Sequence, residues 1–145
     1  MKISIENGAL MPSRAHLSDA GLDIKSPVEG IIPPHTNKAL KVFTGVHVSI
    51  PGGHVGLIKS RSGLMMNWGI CVEGVIDPGY SGQIVLNLFN HGDTPFRFHK
   101  GDRIAQLLIV PIVVPELSVV SLGELEEDAK RASTRGDKGF GSTGK

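Results

Sequence analysis

The sequence predicts an all-β sandwich or barrel, and three observations carry that prediction. Apolar residues recur at every second position in several short runs rich in β-branched side chains. Nineteen glycines and nine prolines among 145 residues supply a high density of chain reversals. Those breakers fall between the runs, at Ile50-Pro51-Gly52-Gly53, Asp77-Pro78-Gly79-Tyr80, Asn90-His91-Gly92-Asp93 and Lys100-Gly101-Asp102.

Taken in order, Met1 to Glu6 alternates polar with apolar side chains and lacks the apolar block of a signal peptide. Strands are expected over Ala39–Phe43, Val46–Ile50, Val55–Lys59, Gln83–Phe89 and Arg103–Val114. Only Ser121 to Arg131 has helical character, with acids placed before bases as a helix dipole favours. Gly123 interrupts it and its apolar face is small, so a short exposed turn is expected there. From Ser133 to Lys145 the chain is glycine-rich and has one large apolar residue, Phe140. Such a segment buries too little to offset its ordering entropy. The organisation expected is a β domain over 1–132 and a flexible arm over 133–145.

Composition narrows the function classes. A length of 145 residues suits one domain, and 40% apolar with 20% charged residues is an ordinary folded composition. Fifteen basic against fourteen acidic side chains give a net charge of +1, so no global field recruits nucleic acid or membranes. A polyanion would have to be held by a few local cations. Cys71 is the only cysteine, which excludes an intramolecular disulfide and a multi-cysteine zinc site. The six histidines show no close metal-ligand pairing. No apolar run approaches the ~20 residues that span a bilayer. The expectation is a cytoplasmic or otherwise intracellular soluble protein.

Four segments hold residues suited to chemistry. Ser60-Arg61-Ser62-Gly63-Leu64 follows a strand-patterned run and offers a guanidinium fork, a hydroxyl donor and a glycine that lets backbone N–H groups approach phosphate. An isolated Arg-Ser-Gly is also what a solvated turn looks like. In Gly74 through Gly82, Asp77 follows an apolar triplet, where half-burial at a sheet rim would raise its basicity and suit it to take a proton from water. The alternative is an Asp-Pro-Gly turn that serves only the backbone. Tyr80, the only tyrosine, is either a core-edge residue or a flat wall against a sugar. Gln106 sits among Ile104, Ala105, Leu107 and Leu108, where its amide needs partners from a neighbouring strand or from a ligand.

The fourth segment is the tail, which carries two decoys. Arg135-Gly136-Asp137 matches an adhesion tripeptide, which suits neither an intracellular chain nor one without disulfides. Gly139 to Lys145 matches G-x-x-x-x-G-K, but a phosphate loop needs a preceding strand and a following Ser/Thr and helix. What remains is a segment with cations, one aromatic plate and exposed amides and hydroxyls that could fold over a phosphorylated aromatic ligand.

Together these segments resemble the five ordered motifs of the trimeric dUTPase family, the deoxyuridine 5′-triphosphate nucleotidohydrolases. Ala20-Gly21-Leu22-Asp23-Ile24 is similar to the first, Arg61-Ser62-Gly63-Leu64 to the second, Gly74 through Gly82 to the third, Lys100 through Leu107 to the fourth and Arg135 through Gly144 to the fifth. The resemblance implies a jelly-roll-like β-barrel or sandwich of dUTPase type with a flexible C-terminal arm, and a homotrimer with active sites at subunit interfaces. It implies hydrolysis of dUTP to dUMP and pyrophosphate by water attack on the α-phosphorus with Mg²⁺. That reaction would limit dUTP and supply dUMP for thymidylate synthesis.

It also implies roles. Asp77 would be the base for the attacking water, while Arg61, Ser62, Gly63 and Gln106 would hold phosphate oxygens. Asp23 would support the metal's water shell or the subunit contact, the metal otherwise resting on substrate phosphates. The main chain of Gly74, Val75 and Ile76, with Val85 opposite, would read uracil, and Tyr80 would pack on deoxyribose and exclude a 2′-hydroxyl. Arg135 would reach the γ-phosphate, Phe140 would stack on uracil, and Gly141, Ser142 and Thr143 would close over the phosphates from a neighbouring subunit. The chain departs from the family pattern at Ser60, where proline is common, at Asn67, where lysine is frequent, and at Lys138, where glycine is usual. The stretch expected as a hairpin between Leu64 and Gly74 is also short.

Two other classes compete. A deaminase of the same fold acting on dCTP would need an acid/base at pyrimidine C4, for which Glu73 is the candidate. A non-catalytic β-trimer binding a nucleotide or a regulatory protein would have no use for a carboxylate aimed at the α-phosphate.

Overall fold

The computed structural model describes residues 1–133, and the chain divides into two compact units, Met1–Val113 and Val114 onward. The first unit holds ten strands: β1 (Lys2–Ile5), β2 (Leu22–Lys25), β3 (Gly30–Ile32), β4 (Leu40–Ser49), β5 (His54–Lys59), β6 (Ile70–Cys71), β7 (Glu73–Ile76), β8 (Gln83–Asn90), β9 (Phe96–Phe98) and β10 (Arg103–Pro111). One helix, α1 (Ser62–Trp68), interrupts them, and α2 (Leu122–Ala132) belongs to the second unit. The all-β expectation is met.

Two four-stranded antiparallel sheets, ordered β1-β4-β8-β6 and β2-β10-β5-β7, and a small β3-β9 pair make up the first unit. The sheets stay open, so of the two forms expected the sandwich is the one adopted. Alternation builds the core. Ile84, Leu86 and Leu88 on β8 and Val42, Val46 and Val48 on β4 turn inward from one sheet. Ile24, Ile58, Ile76, Ile104 and Leu107 do so from the other, and all belong to one apolar cluster with Phe96 and Phe98. Gly30 is required where β3 crosses Phe98: a Cβ there would stand 2.5 Å from the ring.

Several local expectations change. The runs over 39–43 and 46–50 are one strand, β4, broken in register between Phe43 and His47 by a bulge at Gly45, whose φ is +65°. β10 ends at Pro111, not Val114: the Ile112 N–H still donates in register to the Gly53 carbonyl at 2.8 Å, but Gly53, at φ +72°, already belongs to the turn before β5. The stretch from Ser62 is a helix rather than part of a hairpin. It closes on Gly69, whose φ of +67° lets its N–H reach the Leu64 and Met65 carbonyls.

In the second unit the exposed turn expected at 121–131 is the helix α2. Ser121 caps it by accepting from the Glu124 N–H at 3.2 Å, and Lys130 and Arg131 occupy its last turn. Gly123 falls in the first turn, where it interrupts little. Before α2, Val113, Val114, Leu117 and Val119 are all strongly exposed. Among the described residues no helix is long and apolar enough to cross a membrane.

Candidate active site

Strand register brings three of the motifs into one row. Gln106 on β10 pairs with Asp23 on β2 and with Lys59 on β5, and Lys59 pairs with Glu73 on β7. Arg61, Ser62 and Gly63 follow directly from the end of β5. A cleft of about 330 Å³ opens there, lined by Asp19, Gly21, Asp23, Arg61, Ser62, Gly63 and Gln106.

Asp23 organises this cleft. Its Oδ1 accepts from Arg61 Nε at 2.8 Å and its Oδ2 from Arg103 Nη1 at 3.2 Å. Arg61 also donates from Nη1 to the Arg103 carbonyl at 3.3 Å. A nearly buried carboxylate thus bridges two guanidiniums, and of the two Arg61 lines the cleft and brings it positive charge. Arg103 is the residue that sequence reasoning missed as part of the site. Its signal was the Asp102-Arg103 pair in the fourth motif, but its partner lies eighty positions away.

Gln106 finds the neighbouring-strand partner expected of it. Nε2 donates to the Ser60 carbonyl at 2.9 Å, and the side chain also lines the cleft. Gly21 is there because any side chain would collide with that amide. A Cβ on Gly63 would meet nothing within 4 Å, so the space over this backbone is open to a ligand. Ser60 has a role of its own: its hydroxyl accepts from the Val72 N–H at 2.9 Å and donates to the Val72 carbonyl at 3.2 Å, tying the end of β5 to the start of β7.

A second recess, of about 140 Å³, lies at the other expected group. Ile58, Gly74, Val75, Ile76, Tyr80 and Val85 line it. β7 is the outer strand of its sheet, so one side of its backbone has no strand partner. β6 pairs with β8 only at Phe89 and Asn90, which leaves β8 open on that side at Val85. Tyr80 donates to the Gln83 carbonyl at 3.0 Å and its ring lies over Gly82, where a side chain would overlap it.

Asp77 differs from expectation in its burial. Ile76 is the last core residue of β7, and the next residue leaves the sheet in a turn closed by the Tyr80 N–H on the Asp77 carbonyl at 3.2 Å. The side chain is therefore exposed in the single chain, without a hydrogen bond or ion pair among the described residues, rather than half-buried. It also stands apart from the cleft. Glu73 shares the row of Lys59, and Asp77 lies four residues on, just past the far end of β7 and about 13 Å of extended chain away, while Arg61 lies past the opposite end. One chain holds the guanidinium cleft and the Asp77–Tyr80 loop but does not bring them together.

Glu73 is paired with Lys59 Nζ at 2.6 Å. That hydrogen bond, and then the ammonium charge, hold its carboxyl below the ordinary glutamate value. Among the described residues no group of three His, Cys, Asp or Glu side chains could hold a metal. Arg135, Phe140, Gly141, Ser142 and Thr143 lie outside the described residues.

Comparison with known proteins finds relatives over nearly the whole chain. The deoxyuridine 5′-triphosphate nucleotidohydrolase of Mycobacterium marinum is 42% identical over 146 residues, spanning 98% of this chain and 92% of its own. That of Mycolicibacterium gilvum is 44% identical over 138 residues, 92% of this chain and 87% of its own. The dUTPase of Staphylococcus bacteriophage 80alpha, solved with dUPNHPP, superposes with a TM-score of 0.84 at 34% identity, covering 99% of this chain and 98% of that one. A mutant dUTPase from phage phi11 of S. aureus, whose structure reveals the coordination of a structural Mg(II) ion, gives 0.71 at 31% identity over 83% of this chain and 95% of that one. The dUTPase family model matches residues 7–144, and with it the cleft, the loop and the sandwich that carries them: the chain belongs to the dUTPase family.

Proposed function

We propose that this enzyme hydrolyses dUTP to dUMP and pyrophosphate, limiting dUTP and supplying dUMP for thymidylate synthesis, in active sites shared between the subunits of a homotrimer. The observation that carries the reading is the Arg61 guanidinium, held by Asp23 beside Ser62, Gly63 and Gln106, a cradle for phosphate oxygens on one end of a sheet. The names of its relatives support dUTP as the substrate. The separation of that cradle from Asp77 within one chain supports a shared site, since a neighbour's loop can supply what the chain's own loop does not. The exposed side chains of Val113, Val114, Leu117 and Val119 support an assembly that covers them.

Each residue then has a task. Arg61, Ser62, Gly63 and Gln106 hold the polyphosphate and neutralise charge that grows on its oxygens as the α-phosphorus is attacked. Asp77 of an adjoining subunit orients the attacking water and takes its proton. The outer backbone of Gly74, Val75 and Ile76, with Val85 across the recess, reads the base edge, and Tyr80 walls the deoxyribose. The arm from Ser133 closes from a neighbour, with Arg135 on the γ-phosphate, Phe140 on uracil, and Gly141, Ser142 and Thr143 over the phosphates, excluding water.

Mg²⁺ fits this arrangement as a companion of the substrate. Both Asp23 oxygens are engaged by arginines and the described residues form no cage, whereas magnesium characteristically keeps its waters and rests on substrate phosphates. Asp23 would reach such an ion only through water, and its shown contacts make it a positioning residue for Arg61. The deaminase reading is less favoured, because its candidate acid/base, Glu73, is paired with Lys59 at 2.6 Å and held below the ordinary glutamate value, against the protonated form an acid needs.

The test is Asp77→Asn. Isothermal titration with a non-hydrolysable dUTP analogue should show binding kept, while kcat falls by ~10²–10⁴-fold. Unchanged turnover would remove Asp77 from the mechanism.

A further inference from the structure

His47 is bracketed by two groups that can only accept. Its Nδ1 stands 2.8 Å from the Ser81 carbonyl and its Nε2 2.8 Å from Glu6 Oε1. A neutral imidazole carries one N–H and can donate to one of them; the imidazolium donates to both. The contact joins three parts of the chain: the turn after β1, strand β4, and the loop between β7 and β8 that carries Asp77 and Tyr80.

The bulge in β4 makes that reach possible. The Gly45 N–H donates to Gln83 Oε1 at 3.0 Å, its carbonyl accepts from the Glu6 N–H at 2.9 Å, and Thr44 Oγ1 donates to the Ile84 carbonyl at 2.7 Å. The shifted register then sets His47 opposite Gln83, at the mouth of the loop.

We propose that His47 is a positioning residue for the reaction: as an imidazolium it clasps the Asp77–Gly82 loop, through the Ser81 carbonyl, to Glu6 beyond β1, and loss of its proton leaves one N–H for two acceptors, which opens that clasp at one end and slackens the loop. The proposal rests on the dUTP reading above for its consequence in turnover, and on the hydrogen-bond geometry for its existence. Around the ring, Glu6 accepts from it, Gln83 opposite is neutral, and Tyr80 donates to a backbone carbonyl. Lys2 on β1 is the other charged group of the groove it lines, together with Ser4, Ser49 and Gly79. Lys2 opposes the imidazolium from an exposed position, where solvent screens it. The Ser81 carbonyl first, and Glu6 second, raise the His47 pKa above its ordinary value. A raised value fixes the sign: the clasp is complete below the ordinary imidazole pKa and is lost as pH rises through the higher one.

The experiment pairs two readouts on the full chain with Mg²⁺ and dUTP, from about pH 5.5 to about pH 8.5. Imidazole NMR follows the His47 titration while amide shifts follow Tyr80 and Ser81; pyrophosphate release gives kcat and KM for wild type, His47→Ala and His47→Arg. Expected are Tyr80 and Ser81 amides that move with the His47 midpoint, and a wild-type kcat that falls about 3–10-fold through it. His47→Ala should show the lower kcat at every pH. His47→Arg, a permanent cation with several donors, should keep the higher one and lose the limb. Amides that ignore the midpoint, or an unchanged limb in His47→Arg, would overturn the clasp. Wild type that releases no pyrophosphate from dUTP at any pH would instead refute the functional reading, and the NMR linkage would still decide the clasp.

Discussion

Asp23→Asn is the perturbation whose size the structure sets most directly. The carboxylate side chain is 12% exposed and holds guanidiniums that are 28% and 45% exposed. Asparagine keeps the shape but offers one accepting oxygen, turns an NH₂ toward the other arginine and removes the anion between two cations. Breaking a fully buried ion pair costs about 3–5 kcal/mol, and an exposed one ~0–1 kcal/mol. The partial exposure of both arginines places this site between, at about 2 kcal/mol. For a chain of this length that is a melting temperature lowered by roughly 6–8 °C. The assay is a calorimetric melt at one fixed protein concentration, because self-association would otherwise move the midpoint. Arg103→Met in the Asp23→Asn background should recover part of the loss, since it removes one of two uncompensated charges. An Asp23→Asn midpoint within about 1 °C of wild type, or strictly additive losses in the double variant, would refute the reasoning.

Other outcomes follow from the same geometry. Gly82→Ala should push the Tyr80 ring off its seat with little change in stability, and lower discrimination of dUTP over UTP by about 10-fold, read from paired kcat/KM values. Truncation before Arg135 should leave the melting curve in place and lower kcat/KM by ~10²-fold, which steady-state pyrophosphate release would check.

How much of this was legible in the sequence depended on whether the signal was local. Strand runs and their breakers were, because alternation and turn chemistry act over a few residues. The helix α1 was not: Arg61 gives no side-chain cap, none of its residues is fully buried, and its end is set by Gly69 in a conformation no periodicity reveals. α2 reads as a turn from Gly123 and its small apolar face, whereas the bond of the Glu124 N–H to the Ser121 hydroxyl sets its start. Within the site, Arg61, Ser62, Gly63 and Gln106 could be singled out by residue type and by family likeness, and the fold gathers them. The Asp23–Arg103 bond and the His47 bracket could not, since each depends on strand register and, for His47, on a bulge. Half-burial of Asp77 was expected from its apolar neighbours, but the turn that follows Ile76 carries the side chain clear of the sheet.

The central claim, that a guanidinium cradle and a neighbour's carboxylate together cleave dUTP between its α- and β-phosphates, is tested most directly by product analysis. The purified chain, supplied with Mg²⁺ and each deoxynucleoside triphosphate in turn, should release pyrophosphate and the monophosphate from dUTP, with oxygen from labelled water found in dUMP. Ammonia from dCTP, label in pyrophosphate, or no turnover of dUTP would contradict the account.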